Sequence, residues 1–242
     1  MGIARFGSVS FLNARPLVEG LGETVLDTPA GLVDRMRSGE LDAAVLPVVE
    51  LFARPGYSAV RGAGIFARRD VWSVLLIHEC PLREIRRVAL DPASRTSAML
   101  VRLILEHHER LHPEYVPENE PADGRLLIGD RALEWQRQHQ GRGSLDLGLD
   151  WHRRYGMPFV FAVWAIRDGA PDRAGIAEAL RAARRAGEAR RAEYARDDFE
   201  LEYLTRVLAY DVADAEIVSV SHFQSVLFNA GLIDEMLELK WI

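Results

Sequence analysis

The segment IARFGSVSFLNARPL, residues 3–17, passes from a strand pattern into a helix start within a few residues. Ile3 to Val9 alternate in the manner of a β-strand, and the loop from Ser10 to Asn13 leads into a predicted helix. Backbone N–H groups at a helix N-terminus commonly face a ligand. We therefore expect the end of this first strand to lie at a binding site.

The next elements repeat this succession. Thr28 and Pro29 predict a helix start, Gly39 predicts its end, and Leu41 to Leu46 is predicted to be a buried strand. A strand, a helix and a second strand in this order form a βαβ unit, and such units build parallel sheets. The N-terminal part of the chain is therefore predicted to be α/β.

Later segments extend this pattern and then change character. From Pro171 onward Ala, Arg and Glu dominate, as is typical of solvent-facing helices. The predicted strands are Trp72 to His78, Arg87 to Leu90, Leu126 to Ile128 and Phe159 to Ile166. The predicted helices follow Ser97 and Pro171, and also cover Arg131 to Gln138, Phe199 to Leu208 and Ala213 to Asn229.

Composition excludes several classes of protein. The 242 residues carry a net charge of −6, which disfavours broad electrostatic binding to nucleic acid or to an anionic membrane surface. The only cysteine, Cys80, rules out an internal disulfide and a multi-cysteine metal site. We expect Cys80 to be a buried, inert thiol.

Targeting and cofactor signals are absent from the sequence. The chain begins without the features of a signal peptide and has no apolar run of about 18 residues, so we expect a cytoplasmic protein without a membrane partner. The seven histidines show no HExxH or other metal spacing, and GxSxG, P-loop and GxGxxG patterns are missing. The sequence thus predicts neither a metal nor a nucleotide cofactor.

The best candidate for binding chemistry is the run from Ser94 to Ser97, whose hydroxyls and free N–H groups at a helix start favour a carboxylate or phosphate. Helix capping explains the same residues equally well. Arg95 is suited to a two-pronged bond with a carboxylate, or to an ion pair with Asp91. Gly129 and Asp130 occupy a similar turn, where Asp130 can cap its helix or touch a ligand, and the local pattern favours the cap.

These turns are expected to meet in one place, because strand ends in an open α/β sheet converge on a single crevice. A chain of 242 residues is long enough for two lobes. The residues alone therefore indicate a two-lobed α/β protein that binds a small anion in a cleft.

A resemblance to a known family begins at Ser10-Phe11-Leu12-Asn13-Ala14-Arg15-Pro16-Leu17. This stretch is similar to the opening signature of the chorismate dehydratase family, which has Ser or Gln, an aromatic residue, Leu-Asn, two variable residues and Pro-Leu. Further matches follow in the family's order and spacing at Gly39 to Ala44, Ser73 to Leu76, Ser94 to Ser97, Leu127 to Asp130 and Met157 to Trp164.

The resemblance implies a bilobal fold of the type II periplasmic-binding-protein class, with two α/β lobes, a central cleft and a helical C-terminal part. One lobe is expected to comprise residues 1–72 and 167–242 and the other residues 73–166, with crossing segments near Ser73 and Trp164. The implied substrate is the small molecule chorismate, which loses water to give 3-[(1-carboxyvinyl)oxy]benzoate without a redox cofactor.

The family's polar pocket positions match Asn13 and Ser73. We expect these two residues to orient the substrate while the substrate's own enolpyruvyl carboxylate takes the proton. Ser94, Thr96 and Ser97 match the turn that holds a carboxylate. The full set of expected substrate contacts is Ser10, Ser94, Arg95, Thr96, Ser97, Gly129, Asp130 and Phe159.

Three alternatives stay open. A non-catalytic binding protein is compatible with the fold. The sister family, 1,4-dihydroxy-6-naphthoate synthase, shares the fold but usually opens with a Ser-Pro-Cys-Pro-Asn-Asp type motif, which this chain lacks. A regulatory effector-binding domain would need a basic recognition helix, which is also missing. His78 and Glu79 depart from the family pattern, and we expect them at the surface.

Overall fold

The structure, a computed structural model, describes residues 4–91 and 94–242. The predicted start of the first strand at Ile3 and two residues of the polar run, Pro92 and Ala93, lie outside the described residues.

The described chain forms two β-sheets. The strands are β1 (Phe6–Ser8), β2 (Thr24–Leu26), β3 (Ala43–Pro47), β4 (Tyr57–Ala67), β5 (Val74–His78), β6 (Arg87–Leu90), β7 (Glu114–Pro117), β8 (Gly124–Ile128), β9 (Ser144–Asp146), β10 (Phe159–Arg167) and β11 (Leu208–Ala209). The first sheet has the order β11-β4-β10-β3-β1-β2, and the second has the order β7-β6-β8-β5-β9.

Helices cover the sheets and dominate the C-terminal part of the chain. The α-helices are α1 (Pro29–Ser38), α2 (Glu50–Ala53), α3 (Arg95–Arg102), α4 (Gly129–His139), α5 (Leu147–Tyr155), α6 (Arg173–Ala189), α7 (Arg191–Tyr194), α8 (Asp198–Glu202) and α9 (Asp214–Asn229). Leu12–Leu17 and Leu82–Glu84 are 3₁₀ helices, and Leu103–His108 and Tyr203–Val207 are π-helical turns.

The predicted βαβ unit is confirmed. β1 pairs in parallel with both β2 and β3, while β10 runs antiparallel between β3 and β4. Helix α1 begins as expected, because the Thr28 hydroxyl accepts a hydrogen bond from Gly31 N (3.1 Å) and Pro29 occupies its first position. It ends at Gly39, whose φ of +77° is the left-handed conformation that glycine adopts without strain.

The expected boundary between the lobes is wrong at its C-terminal side. β10 pairs along its whole length within the first sheet, so residues 159–166 belong to the first lobe and the chain returns from the second lobe just before Phe159. Trp164, expected in a crossing segment, is fully buried inside β10, where its Nε1 donates to Leu17 O at 3.1 Å. Because β10 is apolar and is paired with a strand on each side, it is stabilised inside the first sheet and does not cross to the second lobe.

The two lobes lie close together. One continuous cluster of buried apolar side chains extends through both of them, with only a small separate cluster of Leu75, Leu127 and Ala132 in the second lobe. An aromatic group made by Trp151, Phe159, Phe161 and Phe223 lies where α5, β10 and α9 meet. The cleft between the lobes is therefore narrow and has apolar walls.

Among the described residues, no helix combines the length and the hydropathy that crossing a bilayer requires. The cytoplasmic location stays a prediction.

Gly129 is required where β8 passes into α4. Its φ is +60°, and a Cβ at this position would lie 2.9 Å from the ring of Phe11 in the first lobe. Any larger residue therefore meets both backbone strain and a neighbouring ring. This close approach is one of the contacts that set the two lobes against each other.

We predict that Gly129→Ala lowers the free energy of unfolding more than the matched change Gly156→Ala. Gly156 has a similar φ of +67°, but a Cβ at that position would have open space around it, with nothing within 4 Å. Gly156→Ala should cost only backbone strain, about 1–2 kcal/mol, whereas Gly129→Ala adds an overpacking cost of roughly 1–3 kcal/mol. Urea unfolding of both variants measures the difference, and equal losses would contradict the close contact with Phe11.

Candidate functional site

A pocket opens between the two lobes at the ends of β1, β5 and β8. The first lobe gives it a mainly apolar wall, and the second lobe gives it most of its polar groups. The first-lobe wall is formed by Val9, Phe11, Asn13, Pro29, Val45, Pro47, Ile65, Phe161 and Ala162. The second-lobe wall is formed by Ser73, Val74, Ser94, Arg95, Thr96, Ser97, Ile128 and Gly129. Apolar walls with a few converging polar groups are typical of small-molecule sites.

Asn13 and Ser73 face this pocket from opposite lobes. Asn13 lies in the 3₁₀ helix after β1, and Ser73, which is 1% exposed, directly precedes β5. Asn13 Oδ1 and Ser73 Oγ are both buried, and neither has a hydrogen-bond partner within the described chain. A buried polar atom without a partner costs free energy, so such atoms in a pocket indicate that a ligand completes them.

The N-terminus of α3 closes another side of the pocket. Ser94, Thr96 and Ser97 are all at most 5% exposed, and the Ser94 side chain makes no capping bond to the described part of the helix. Thr96 Oγ1 accepts a long hydrogen bond from Val49 N (3.4 Å) in the first lobe. The capping alternative for Ser94 is therefore not what the structure has, and this helix start presents hydroxyls and N–H groups to the pocket.

Arg95 contributes a guanidinium at the same end of α3. Its Nη1 donates to Glu50 Oε1 at 2.6 Å, and the other carboxylate oxygen of Glu50 accepts from Arg37 Nη2 at 3.2 Å. Glu50 is only 1% exposed, so this is a buried ion pair that crosses from the first lobe to the second. Sequence reasoning did not find Glu50, because its partners lie 13 and 45 residues away.

A carboxylate fixes the segment that presents Ser73. Asp146 accepts from the backbone N–H groups of Val71 (2.9 Å), Trp72 (2.9 Å) and Leu149 (2.9 Å). The residue is partly exposed as a whole, but its carboxyl group is enclosed by the protein, and this burial raises its pKa to about 6 against the opposing effect of the three N–H bonds. Trp72 adopts the left-handed conformation here, with φ of +60°.

Three of the expected substrate contacts are wrong. Ser10 is exposed and does not line the pocket, whereas its neighbour Val9 does, because the strand ends at Ser8 and the alternation expected through Val9 does not continue into the loop. Phe159 is 1% exposed and packs behind Phe161 with its ring 4.7 Å from that ring, so Phe161 is the wall residue. Asp130 is exposed and lines a separate, polar depression.

Asp130 is neither a ligand contact nor a cap of its own helix. Its Oδ1 accepts from Leu12 N at 2.9 Å, which places it at the N-terminus of the 3₁₀ helix in the other lobe. An acceptor at this position satisfies one of the N–H groups that a helix start leaves open. Asp130 thereby helps to hold the turn that carries Asn13.

Comparison with known proteins decides the family. A family model described as menaquinone biosynthesis matches residues 4–216. A chorismate dehydratase of Thermus thermophilus is 30% identical over 217 residues, which cover 81% of this chain and 79% of that protein. This chain belongs to the menaquinone biosynthesis family. The resemblance drawn from the sequence motifs is thus confirmed.

Solved structures agree on the fold of this family member. A structural-genomics protein from Archaeoglobus fulgidus aligns with a TM-score of 0.72 at 16% identity, over 95% of this chain and 98% of that chain. A Candida albicans protein described as having the generic periplasmic binding protein fold aligns with a TM-score of 0.66 at 11% identity, over 98% and 92%. The expected bilobal, periplasmic-binding-protein-like fold is confirmed.

The chain has another, larger depression at the far end of the second lobe. It is lined by His78, Glu79 and Cys80 together with Arg125 and His139, and it is separate from the pocket that contains Ser73. His78 and Glu79 therefore lie away from the candidate site, as expected, while Cys80 is partly exposed rather than buried. No group of three potential metal ligands comes together in residues 4–91 and 94–242.

Several wall residues were missed by sequence reasoning. Phe11 lies inside the family motif but carries no polar atom, and Val45, Pro47 and Ile65 have the pattern of ordinary buried strands. Only the pairing of the first sheet brings these residues to the cleft. The alternation of β3 and its pairing with β10 show which residues share one face of the sheet, but they do not show that this face lines a binding site.

For this family member we predict a pH effect on stability that originates at Asp146. Because its pKa is raised to about 6, the folded state binds the proton more tightly than the unfolded state does. The stabilisation from this proton is complete below the ordinary pKa near 4 and is lost as the pH rises through about 6. The free energy of unfolding of the native chain minus that of Asp146→Asn should therefore fall across this window, by at most about 3 kcal/mol.

Urea unfolding of both proteins between pH 4 and pH 7.5 measures this difference. Above about pH 7 the difference should be constant, since Asp146 is then ionised in both states. A difference that is independent of pH from 4 to 7 would contradict the raised pKa.

Proposed function

We propose that the chain is a chorismate dehydratase, a hydro-lyase that converts chorismate to 3-[(1-carboxyvinyl)oxy]benzoate and water for menaquinone biosynthesis. The observation that carries the proposal is the meeting of two unpaired buried atoms, Asn13 Oδ1 and Ser73 Oγ, with the hydroxyl-lined start of α3 in one pocket. Membership of the family and the Thermus thermophilus relative named chorismate dehydratase support the choice of substrate.

The pocket matches the chemistry of this substrate. Chorismate is a cyclohexadiene that carries two carboxylates, one hydroxyl and an enolpyruvyl ether, and the apolar walls around Phe11 and Phe161 suit the hydrocarbon part of its ring. The N–H groups and hydroxyls from Ser94 to Ser97 suit one carboxylate, because the positive end of a helix favours an anion. Asn13 and Ser73 are then left for the hydroxyl group that leaves and for the second carboxylate.

The elimination needs little from the protein beyond orientation. The proton on C3 passes to the substrate's own enolpyruvyl carboxylate, the electron pair of that C–H bond completes the aromatic ring, and the C4–O bond breaks. The departing hydroxide then takes up the proton from the carboxylic acid and leaves as water. Because aromatisation drives the reaction, holding one conformer and stabilising the leaving oxygen are sufficient tasks for the site.

The alternatives have less support. The Ser-Pro-Cys-Pro-Asn-Asp type motif of the naphthoate synthase is absent from this chain. A purely binding role would rest on the fold alone, because the solved structures that share it are less than 20% identical to this chain. The unpaired Asn13 and Ser73 atoms beside a carboxylate-binding turn favour the dehydratase.

The test is incubation of the purified protein with chorismate, followed by chromatography for the aromatic enolpyruvyl ether. We expect this product, and we expect the rate to be unchanged by EDTA. Consumption of cyclic dehypoxanthinyl futalosine instead would identify the naphthoate synthase. Binding of chorismate in a thermal shift without product would identify a binding protein, and either result would overturn the proposal.

We predict that Asn13→Ala and Ser73→Ala each lower kcat by about 10²-fold or more, because each removes a donor or acceptor from a water-excluded site. The melting temperature should stay close to that of the native chain, since neither Asn13 Oδ1 nor Ser73 Oγ has a protein partner to lose among the described residues. Steady-state kinetics and thermal unfolding measure the two effects separately.

Ser94→Ala is the matched comparison. It removes one hydroxyl from the carboxylate-binding turn, so it should raise KM with little change in kcat. Near-native turnover of both Asn13→Ala and Ser73→Ala would contradict the assignment of these residues, and unfolding of both would make their role structural.

A further inference from the structure

Tyr203 lies directly behind the pocket. It is the first residue of the π-helical turn Tyr203–Val207, where α8 widens, and its side chain is 1% exposed. A π turn inside a helix is rare and is found preferentially at functional sites. No sequence motif includes this residue, because it lies in the helical C-terminal part of the chain.

Aromatic and charged contacts fix this turn against the segment that carries Ser73. Trp72, next to Ser73, stacks on Phe199 of α8 with ring centroids 5.1 Å apart and an interplanar angle of 17°. The Cζ atom of Arg206 lies 5.3 Å from the centroid of the Trp72 ring, and that of Arg137 in α4 lies 4.7 Å from the centroid of the Phe199 ring. Tyr203, between Phe199 and Arg206 in the chain, is therefore held at the Trp72–Ser73 segment.

The Tyr203 hydroxyl lies beside the side chains of Ser73 and Asn13, and both act on it as polar neighbours. These are loose contacts, since Ser73 Oγ and Asn13 Oδ1 complete no hydrogen bond of standard geometry with the described residues. Burial raises the pKa of Tyr203, and the contacts with Ser73 and Asn13 only partly oppose that rise. The phenol therefore keeps its proton, and it has one donor and two acceptor positions to share.

We propose that Tyr203 is a positioning residue of this site, whose hydroxyl orients Ser73 and Asn13 toward the bound substrate. The inference rests on the proposed dehydratase function and adds a residue that acts through the two that touch the substrate.

The polarity of the three groups follows from their donors and acceptors. In the substrate complex that this inference describes, Asn13 Nδ2 donates to the Tyr203 oxygen and the Tyr203 O–H donates to Ser73 Oγ. The Ser73 O–H is then left to donate into the pocket, toward the leaving oxygen. Asn13 Oδ1 also stays available to the substrate. In such a chain each hydrogen bond polarises the next, which strengthens Ser73 as a donor at the moment when hydroxide departs.

Tyr203→Phe tests this role, with Tyr210→Phe as the matched control. Tyr210 is also fully buried, and its hydroxyl has no hydrogen-bond partner among the described residues. We expect Tyr203→Phe to lower kcat for chorismate by roughly 10- to 100-fold, the range typical for loss of a supporting hydrogen bond. KM should change less than about threefold, and Tyr210→Phe should leave both constants unchanged.

A double-mutant cycle with Ser73→Ala separates positioning from a general structural effect. If Tyr203 acts through Ser73, Tyr203→Phe should lower kcat by less than about threefold in the Ser73→Ala background. Three results would each overturn the inference but not the proposed function. They are decreases in kcat that multiply in the double variant, a kcat of Tyr203→Phe within twofold of the native chain, and a Tyr203→Phe protein that melts well below Tyr210→Phe. A native chain that yields no product from chorismate would overturn the proposed function and this inference with it.

Discussion

A buried carboxylate shared between the lobes fixes the geometry of the site. Glu50 is 1% exposed, and it bonds Arg37 of its own lobe and Arg95 of the other. Removal of one partner from a buried pair leaves an uncompensated charge, which is strongly unfavourable. Because Arg95 is the first residue of α3, this pair sets the height and angle at which the hydroxyls of the helix start face the first lobe.

Other contacts set the remaining sides of the cleft. The Asp130 carboxylate meets the Leu12 amide, and the Phe11 ring packs on the bare Cα of Gly129. On a third side, Arg137 bonds the carboxylates of Asp197 and Glu200 in the C-terminal helical segment. The pocket is thus surrounded by contacts between the lobes, and its polar groups come together only when these contacts form.

The sequence predicted those features that local chemistry determines. The Thr28 cap and the Gly39 end of α1, the parallel β1 and β3, and the approach of Asn13, Ser73 and the Ser94 turn were all expected, and the structure has them. Glu50 and Tyr203 were missed because their roles depend on partners far away in the chain. Phe159 was assigned to the pocket, but Phe161, two residues further along β10, lines it, and no local pattern distinguishes these two neighbouring aromatic residues.

The pairing of Arg95 with Glu50 also bears on how an anion reaches the cleft. The Arg95 guanidinium already has a carboxylate partner, so a ligand carboxylate would meet a paired charge together with the oriented dipoles of the helix start. The chain as a whole carries −6, and its long-range field repels anions. We therefore expect added salt, which screens this repulsion, to speed the association of an anionic ligand, in contrast to the steered capture seen where a cleft is lined with free cations.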